Sequence, residues 1–360
     1  MRIVQVIDRL EVGGAERVLV DLTNLLHEYK HNVSVVCLLK EGEFDTQLDS
    51  RISITYIHRK NKYNPVYLFK LYKELIKYDV VHIHLRQVLR YVSLLFYLTR
   101  LHRKRVVVFH DHFGKIAENK SISNSIKNAI KRCTAYIGVS EELVLWAREN
   151  SLNANIFKLA NVIRNKISKP KSNRTNYNMI NVVSVGNFRP QKNYEYLLDL
   201  IKNSPENYHF TIYGQPVDND YFKSVKTRIT DLNIENKVSI ITNCSNIKAE
   251  LYKFDIGVHT AKSETGPLVA IEYLSENLSF VVYNTGEVAN VVESEFKEFI
   301  QHDFKVSNWL KNMSFILDNK GELEEKLELF YNKNYSEETY LKSCISIYEE
   351  LITSNKKDSI

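Results

Sequence analysis

No apolar run in this chain reaches the ~20 residues a helix needs to cross a bilayer. The best candidate, Tyr91 to Thr99, is closed on both sides by Arg90 and Arg100. The start lacks the charged segment, long apolar stretch and small-residue cleavage site of a secretory leader, since Met1-Arg2 runs straight into an apolar strand pattern. Cysteine is scarce: Cys37, Cys133, Cys244 and Cys344 lie far apart with no CxxC. That excludes a disulfide framework and a zinc knuckle, and it fits a reducing cytoplasm. There is no short repeat, no low-complexity tract, no P-loop and no convincing nucleophilic triad. Nothing resembles a helix-turn-helix or RNP motif, so nucleic acid is not an expected partner. What is present is globular: 44% hydrophobic and 26% charged over 360 residues. That is enough for two domains of about 150–180 residues.

The net charge of +6 is unevenly spread. Residues 1–170 hold 28 Lys and Arg against 16 Asp and Glu, whereas residues 171–360 hold 21 against 27. A basic half points to an anionic partner such as membrane headgroups or a lipid phosphate. The hydropathy pattern alternates strand and helix twice. Strands are expected at Arg2–Ile7, Val33–Leu39, Ile52–Ile57, Val80–His84, Arg105–His110 and Ala135–Val139, with amphipathic helices between them at Ala15–Tyr29 and Pro65–Lys77. After a polar stretch the pattern restarts at Ile180–Val185, Tyr208–Tyr213, Val238–Ile241, Asp255–Thr260 and Phe280–Tyr283. Such alternation implies parallel strands with helices on both faces, hence two doubly wound domains in tandem. The expected division is 1–164, a linker at 165–178, 179–334, and a C-terminal helix over 335–360, capped by Ser336 and packing back toward the first domain.

Six constellations are candidates for chemistry. In Ser263-Glu264-Thr265-Gly266-Pro267-Leu268-Val269-Ala270-Ile271-Glu272, Pro267 suits a first helical position and Gly266 lets a ligand approach the backbone. The free amides of that first turn suit a diphosphate. Glu272 lies among apolar neighbours, where a carboxylate is costly unless hydrogen-bonded; a ribose would satisfy it, and so would backbone groups or solvent. Gly186-Asn187-Phe188-Arg189-Pro190-Gln191-Lys192 follows a strand and offers two cations to a departing diphosphate, although a loop with two solvated bases reads equally simply. Gly13-Gly14-Ala15-Glu16 reads as a tight turn or as a phosphate-binding helix start. His82-Ile83-His84 and His110-Asp111-His112 each place two imidazoles on one strand face, but neither pair has an evident third or fourth ligand, so no metal is assigned. His110 is better read as a neutral hydrogen-bond partner for a sugar. Asp218-Asn219-Asp220 reads as a helix cap near Tyr221 rather than a metal motif. Finally, Arg86 to Arg105 mixes large apolar side chains with six basic ones, which suits either a domain helix with a basic outer face or a helix resting on anionic lipid.

Taken together, these residues resemble the retaining glycosyltransferases of glycosyltransferase family 4, over nearly the whole chain. The most specific match is the Glu-x7-Glu motif, Glu264 and Glu272 with Gly266-Pro267 between them. Weaker matches are Gly13 to Glu16, His110, Ser140, Gly186 to Lys192, Asp255 and Thr285-Gly286-Glu287-Val288. The resemblance implies the GT-B fold, two Rossmann-like domains facing across a cleft, with the acceptor side in 1–164 and the nucleotide-sugar donor in 179–334. By position, Lys192 and Arg189 would hold the donor diphosphate, and Glu264 and His110 would lie by the transferred sugar. Glu272 would bind the ribose, and Leu268 and Val269 would present amides to the phosphates together with Gly266 and Pro267. Gly13, Gly14, Gly186 and Asn187 would line the donor. The family usually has Arg at position 187, so Arg189 is expected to take its place.

The resulting expectation is a metal-independent retaining transferase. It would move a hexose or N-acetylhexosamine from a nucleotide-diphosphate sugar, UDP favoured over GDP, to a saccharide or polyprenyl-linked acceptor in surface polysaccharide biosynthesis. The nucleotide sugar is a co-substrate and no cofactor is expected. The protein is expected in the cytoplasm, with peripheral contact to the inner face of the membrane through the basic N-terminal domain. Two alternatives stand beside it: a GT-B-fold epimerase or phosphorylase, and a non-catalytic nucleotide-sugar binder.

Overall fold

The structure, a computed structural model, describes residues 1–62, 64–114, 116, 119–162, 179–244, 246–264 and 268–357. The expected linker 165–178 lies outside them, as do Gly266 and Pro267. The chain divides into two compact units, Met1–Arg164 with Tyr335–Ile360, and Asn165–Asn334.

The first unit runs β1 (Arg2–Ile7), α1 (Gly14–Glu28), β2 (Asn32–Cys37), β3 (Ser53–Tyr56), α2 (Pro65–Leu75), β4 (Val80–His84), α3 (Arg86–Thr99), α4 (Leu101–Lys104), β5 (Val106–Asp111), α5 (Asn124–Arg132), β6 (Ala135–Gly138), α6 (Glu141–Glu149) and β7 (Ile156–Lys158). The strands form one sheet in the order β3-β2-β1-β4-β5-β6-β7, every pair parallel. Both faces are covered, which is why these strands read as nearly unbroken apolar runs. On one face Val4, Val6, Val81, Ile83, Val107 and Phe109 meet side chains of α2, α3, α5 and α6. On the other, Ile3, Val80, Val106 and Val108 meet Leu22, Leu25 and Leu26 of α1. That face also takes Leu341, Cys344, Tyr348 and Leu351 of the C-terminal helix, Glu337–Lys357. Ser336 starts this helix, its Oγ accepting the Thr339 N–H at 3.2 Å.

The second unit holds β8 (Ile180–Val185), α7 (Tyr194–Asn203), β9 (Tyr208–Tyr213), α8 (Asn219–Asp231), β10 (Val238–Ile241), β11 (Ile256–His259), α9 (Leu268–Ser275), β12 (Phe280–Tyr283), α10 (Gly286–Glu293), β13 (Ile300–Gln301), α11 (Val306–Asp318) and α12 (Lys320–Tyr335). Its sheet has the order β10-β9-β8-β11-β12-β13, again parallel throughout. The two sheets therefore share one winding: the chain steps outward from a first strand, then crosses back to its other side. The switch points fall between β1 and β4 and between β8 and β11, and ligands of such sheets bind outside the strand C-termini there. Five strands expected from sequence, β1, β4, β8, β9 and β10, have the expected bounds, as does β12. The short edge strands β7 and β13 were not anticipated. No helix among the described residues is long and apolar enough to cross a membrane.

Candidate active site

The loops leaving β8 and β11 flank the second unit's switch point, and they are stitched together. Lys262 N–H donates to the Gln191 carbonyl at 2.8 Å. Thr260 Oγ1 donates to the Lys192 carbonyl at 3.0 Å. Between the loops the Lys192 ammonium pairs with Glu264 Oε1. Both side chains are 19% exposed, so neither is fully solvated. His259, the last residue of β11 and only 4% exposed, places Nε2 3.4 Å from the same oxygen. The Glu264 N–H donates to Thr285 Oγ1 at 3.0 Å, which ties the loop to the start of α10.

The electrostatics follow from this packing. Burial works to raise the Glu264 carboxyl, but the Lys192 charge and the His259 ring outweigh it and hold the group at about 2. Burial, aided by the Lys192 charge, lowers His259, with Glu264 opposing. At neutral pH the Glu264 carboxyl is thus ionised and the His259 ring neutral.

Glycine makes the close approach possible. A Cβ on Gly186 would stand 3.2 Å from Lys192 Cδ and from the Tyr194 hydroxyl, so the bare backbone lets the lysine stem lie flat on the turn. A Cβ on Gly214 would meet the Gly186 carbonyl at 2.0 Å, which locks the turn after β9 beneath it. Asn187 completes that junction: its Oδ1 accepts the Gln215 N–H at 3.1 Å. A guanidinium cannot accept a hydrogen bond, so this junction accounts for asparagine at 187. Arg189 is exposed on the 3₁₀ turn Pro190–Lys192 and is not among the described residues that contact Glu264.

Helix α9 is apolar on nearly every side and rests directly on β11. A Cβ on Gly257 would stand 2.6 Å from the Tyr273 ring, so the helix sits as close as a bare strand allows. Val269 in its first turn is buried, Leu268 is half-buried, and Glu272 is half-buried beside fully buried Tyr273. Asp255 lies before β11, at the sheet edge away from the site, where its carboxylate accepts the Asn181 N–H at 2.9 Å and Lys320 Nζ at 3.2 Å. Asp218 caps α8 through the Tyr221 N–H at 3.0 Å.

The remaining candidates belong to the first unit. Gly13 is the N-cap of α1 and Gly14 its first residue. The Glu16 carboxylate folds back over Gly13, where a Cβ would meet its Oε2 at 2.2 Å, so the chain's own carboxylate lies at that helix start. Ser140 caps α6 through the Leu143 N–H. His110 is fully buried at the end of β5, and neither ring nitrogen makes a hydrogen bond of normal geometry. Burial pushes it down to about 3, with the Leu159 backbone opposing weakly.

Thus the fold brings together Lys192 and Glu264, with Gly186 under the lysine. It adds His259, Thr260 and Thr285 to them. His259 carried one signal in the sequence, a polar residue closing an apolar strand five positions before Glu264.

Two family models match the chain, "Glycosyltransferase Family 4" over residues 12–156 and "Glycosyl transferases group 1" over residues 165–334. The chain is 25% identical over 339 residues to the capsular polysaccharide biosynthesis glycosyltransferase CapH of Staphylococcus aureus, covering 88% of this chain and 87% of that one. It is 23% identical over 291 residues to an uncharacterized 41.2 kDa protein in the cps region of Klebsiella pneumoniae, covering 76% and 79%. Among solved structures, Anabaena Alr3699/HepE in complex with UDP and glucose superimposes with a TM-score of 0.80 at 16% identity, covering 97% of this chain and 99% of that one. With both halves matched and the fold shared along its length, the chain belongs to the family 4 glycosyltransferases of GT-B fold.

Proposed function

We propose that this glycosyltransferase moves a hexose or N-acetylhexosamine from a uridine-diphosphate sugar to a polyprenyl-linked saccharide, with retention at the anomeric carbon and without a metal. The observation that carries the reading is the Lys192–Glu264 pair at the switch point of the second unit. A departing diphosphate gains negative charge and the sugar ring gains positive charge. Lys192, with Arg189 and the amides that begin α9, offsets the first. Glu264, ionised at any working pH, offsets the second and holds the lysine in place. Glu272 takes the ribose hydroxyls. The acceptor oxygen attacks the anomeric carbon on the face the diphosphate leaves. One C–O bond forms as the other breaks, and a leaving-phosphate oxygen takes the acceptor's proton. Uridine is favoured because the HepE structures hold UDP, UDP and glucose, or UDP-glucose. CapH supports a capsule-type polysaccharide as the product.

A lipid-linked acceptor agrees with the outer surface of the first unit. Helix α3 buries Val88, Leu89, Val92, Leu95 and Phe96 but leaves Tyr97 57% and Leu98 69% exposed, and Phe69 of α2 is 59% exposed. From Arg90 to Arg105 there are five basic residues and no acidic one, whereas Arg86 is turned inward onto buried Asp111. Apolar side chains set among cations suit an anionic leaflet.

The test is nucleotide release from a panel of UDP- and GDP-sugars with EDTA present, followed by NMR of the product's anomeric centre. Release of UDP in EDTA with the donor's anomeric configuration kept in the product supports the reading. Dependence on added Mn²⁺, or an inverted product, contradicts it.

A further inference from the structure

One face of the first unit's sheet changes chemistry along its length. Near the strand starts it carries Ile3, Val80 and Val106, packed under α1 and the C-terminal helix. Farther along, the parallel register sets Gln5 beside His82 and His84 beside His110. Because side chains alternate with period two, all four lie on that same face. All four are fully buried. The ring centroids of His82 and His84 are 4.5 Å apart, those of His82 and His110 5.2 Å, and those of His84 and His110 5.5 Å. One nitrogen from each of the three lies within 4.8 Å of the other two.

The hydrogen bonds around these rings leave a consistent gap. His82 Nδ1 bonds the Tyr348 hydroxyl of the C-terminal helix at 2.5 Å, while its Nε2 has no partner. His84 Nδ1 meets His112 Nε2 at 3.0 Å, and its Nε2 meets Gln5 Oε1 at 2.8 Å. Neither nitrogen of His110 nor Gln5 Nε2 makes a hydrogen bond of normal geometry, although the Leu159 backbone lies near the His110 ring and Gln5 near the Tyr348 hydroxyl. Leaving a buried polar atom unpaired costs about 1–3 kcal/mol, and such groups call for an explanation. Three imidazoles clustered without a carboxylate suit a borderline transition metal and not magnesium or calcium. Ligating imidazoles characteristically bond a second group through their other nitrogen. Tyr348 supplies that bond for His82, and His112 supplies it for His84.

We propose that His82, His84 and His110 form a site for a zinc-class cation (Zn²⁺, Co²⁺ or Ni²⁺), oriented by Tyr348 and His112. In the bound state His84 Nε2 turns from Gln5 to the metal, and Gln5 Oε1 or a water supplies a fourth donor.

The test begins with the full chain stripped by chelator and titrated with Co²⁺. The expected result is a visible ligand-field band that saturates at one equivalent, is bleached by Zn²⁺ and is unmoved by Mg²⁺. His82→Gln abolishes the band. Tyr348→Phe, which removes only the orienting hydroxyl, weakens metal affinity by about 10–100-fold. Circular dichroism of both variants checks that the fold is kept. A wild-type chain that binds neither Co²⁺ nor Zn²⁺ more tightly than about 10 μM, roughly −7 kcal/mol, overturns the site. So does undiminished binding in a folded His82→Gln. None of the binding readouts depends on catalysis, so a failed donor panel would count against the transferase reading alone.

Discussion

Lys192 and Glu264 neutralise each other where solvent reaches only a fifth of either side chain. The carboxyl, held at about 2, stays ionised throughout the working range, so the rate profile of the wild type should show no Glu264 step between pH 4 and 9. Lys192→Ala removes the strongest counter-charge and lets burial dominate. The group should then rise above 4.5, and the variant's kcat/KM should gain an acid limb that a flat profile would refute. The variant's kcat should fall by about 10²–10³, more than its donor KM changes. The linkage sign is that of a depressed carboxylate. The pair's contribution to stability is complete above pH 4.5 and fades as pH falls toward 2. Acid thermal melts check this: between those values the wild type should lose more of its melting temperature than Glu264→Gln does.

At the scale of elements, one contact sets the position of α9. Tyr273 lies against bare Gly257, and a methyl group there would overlap the ring. Gly257→Ala should therefore displace α9 and cost about 1–3 kcal/mol, read from urea unfolding together with weakened UDP binding; unchanged stability would show the helix to be freely adjustable. Elements of this kind were largely legible in the sequence. Strands buried on both faces are nearly unbroken apolar runs, so β1, β4 and β12 were visible with their bounds, and β8, β9 and β10 kept enough apolar pattern to be visible too. β7 and β13 were not, because strands of three and two residues at a sheet edge carry too little pattern. The Asp218 cap was legible because capping is local. Three-dimensional placement was not. No spacing rule brings His259 onto Glu264, makes Asn187 an acceptor for Gln215, or sets His110 beside the pair His82 and His84, since each depends on strand register or on loops meeting across a switch point.

At the scale of the whole chain, the two halves of the sequence carry net charge of opposite sign, the basic share lying before residue 170. Each basic side chain near an anionic leaflet contributes about 1 kcal/mol, screened over about 10 Å at 0.1 M salt. Sedimentation with anionic vesicles should therefore capture the protein at low salt and release it as salt rises. Leu98→Glu should reduce capture while leaving transfer to a water-soluble acceptor intact. Salt-independent capture would point to a different surface.

The central claim is that the loops after β8 and β11 receive the diphosphate and ribose of a sugar nucleotide. A crystal structure of the chain soaked with UDP tests it most directly. The account predicts the diphosphate on Lys192 at the start of α9 and the ribose hydroxyls on Glu272. A nucleotide bound elsewhere, with Lys192 still held by Glu264 alone and Glu272 away from the ribose, would contradict it.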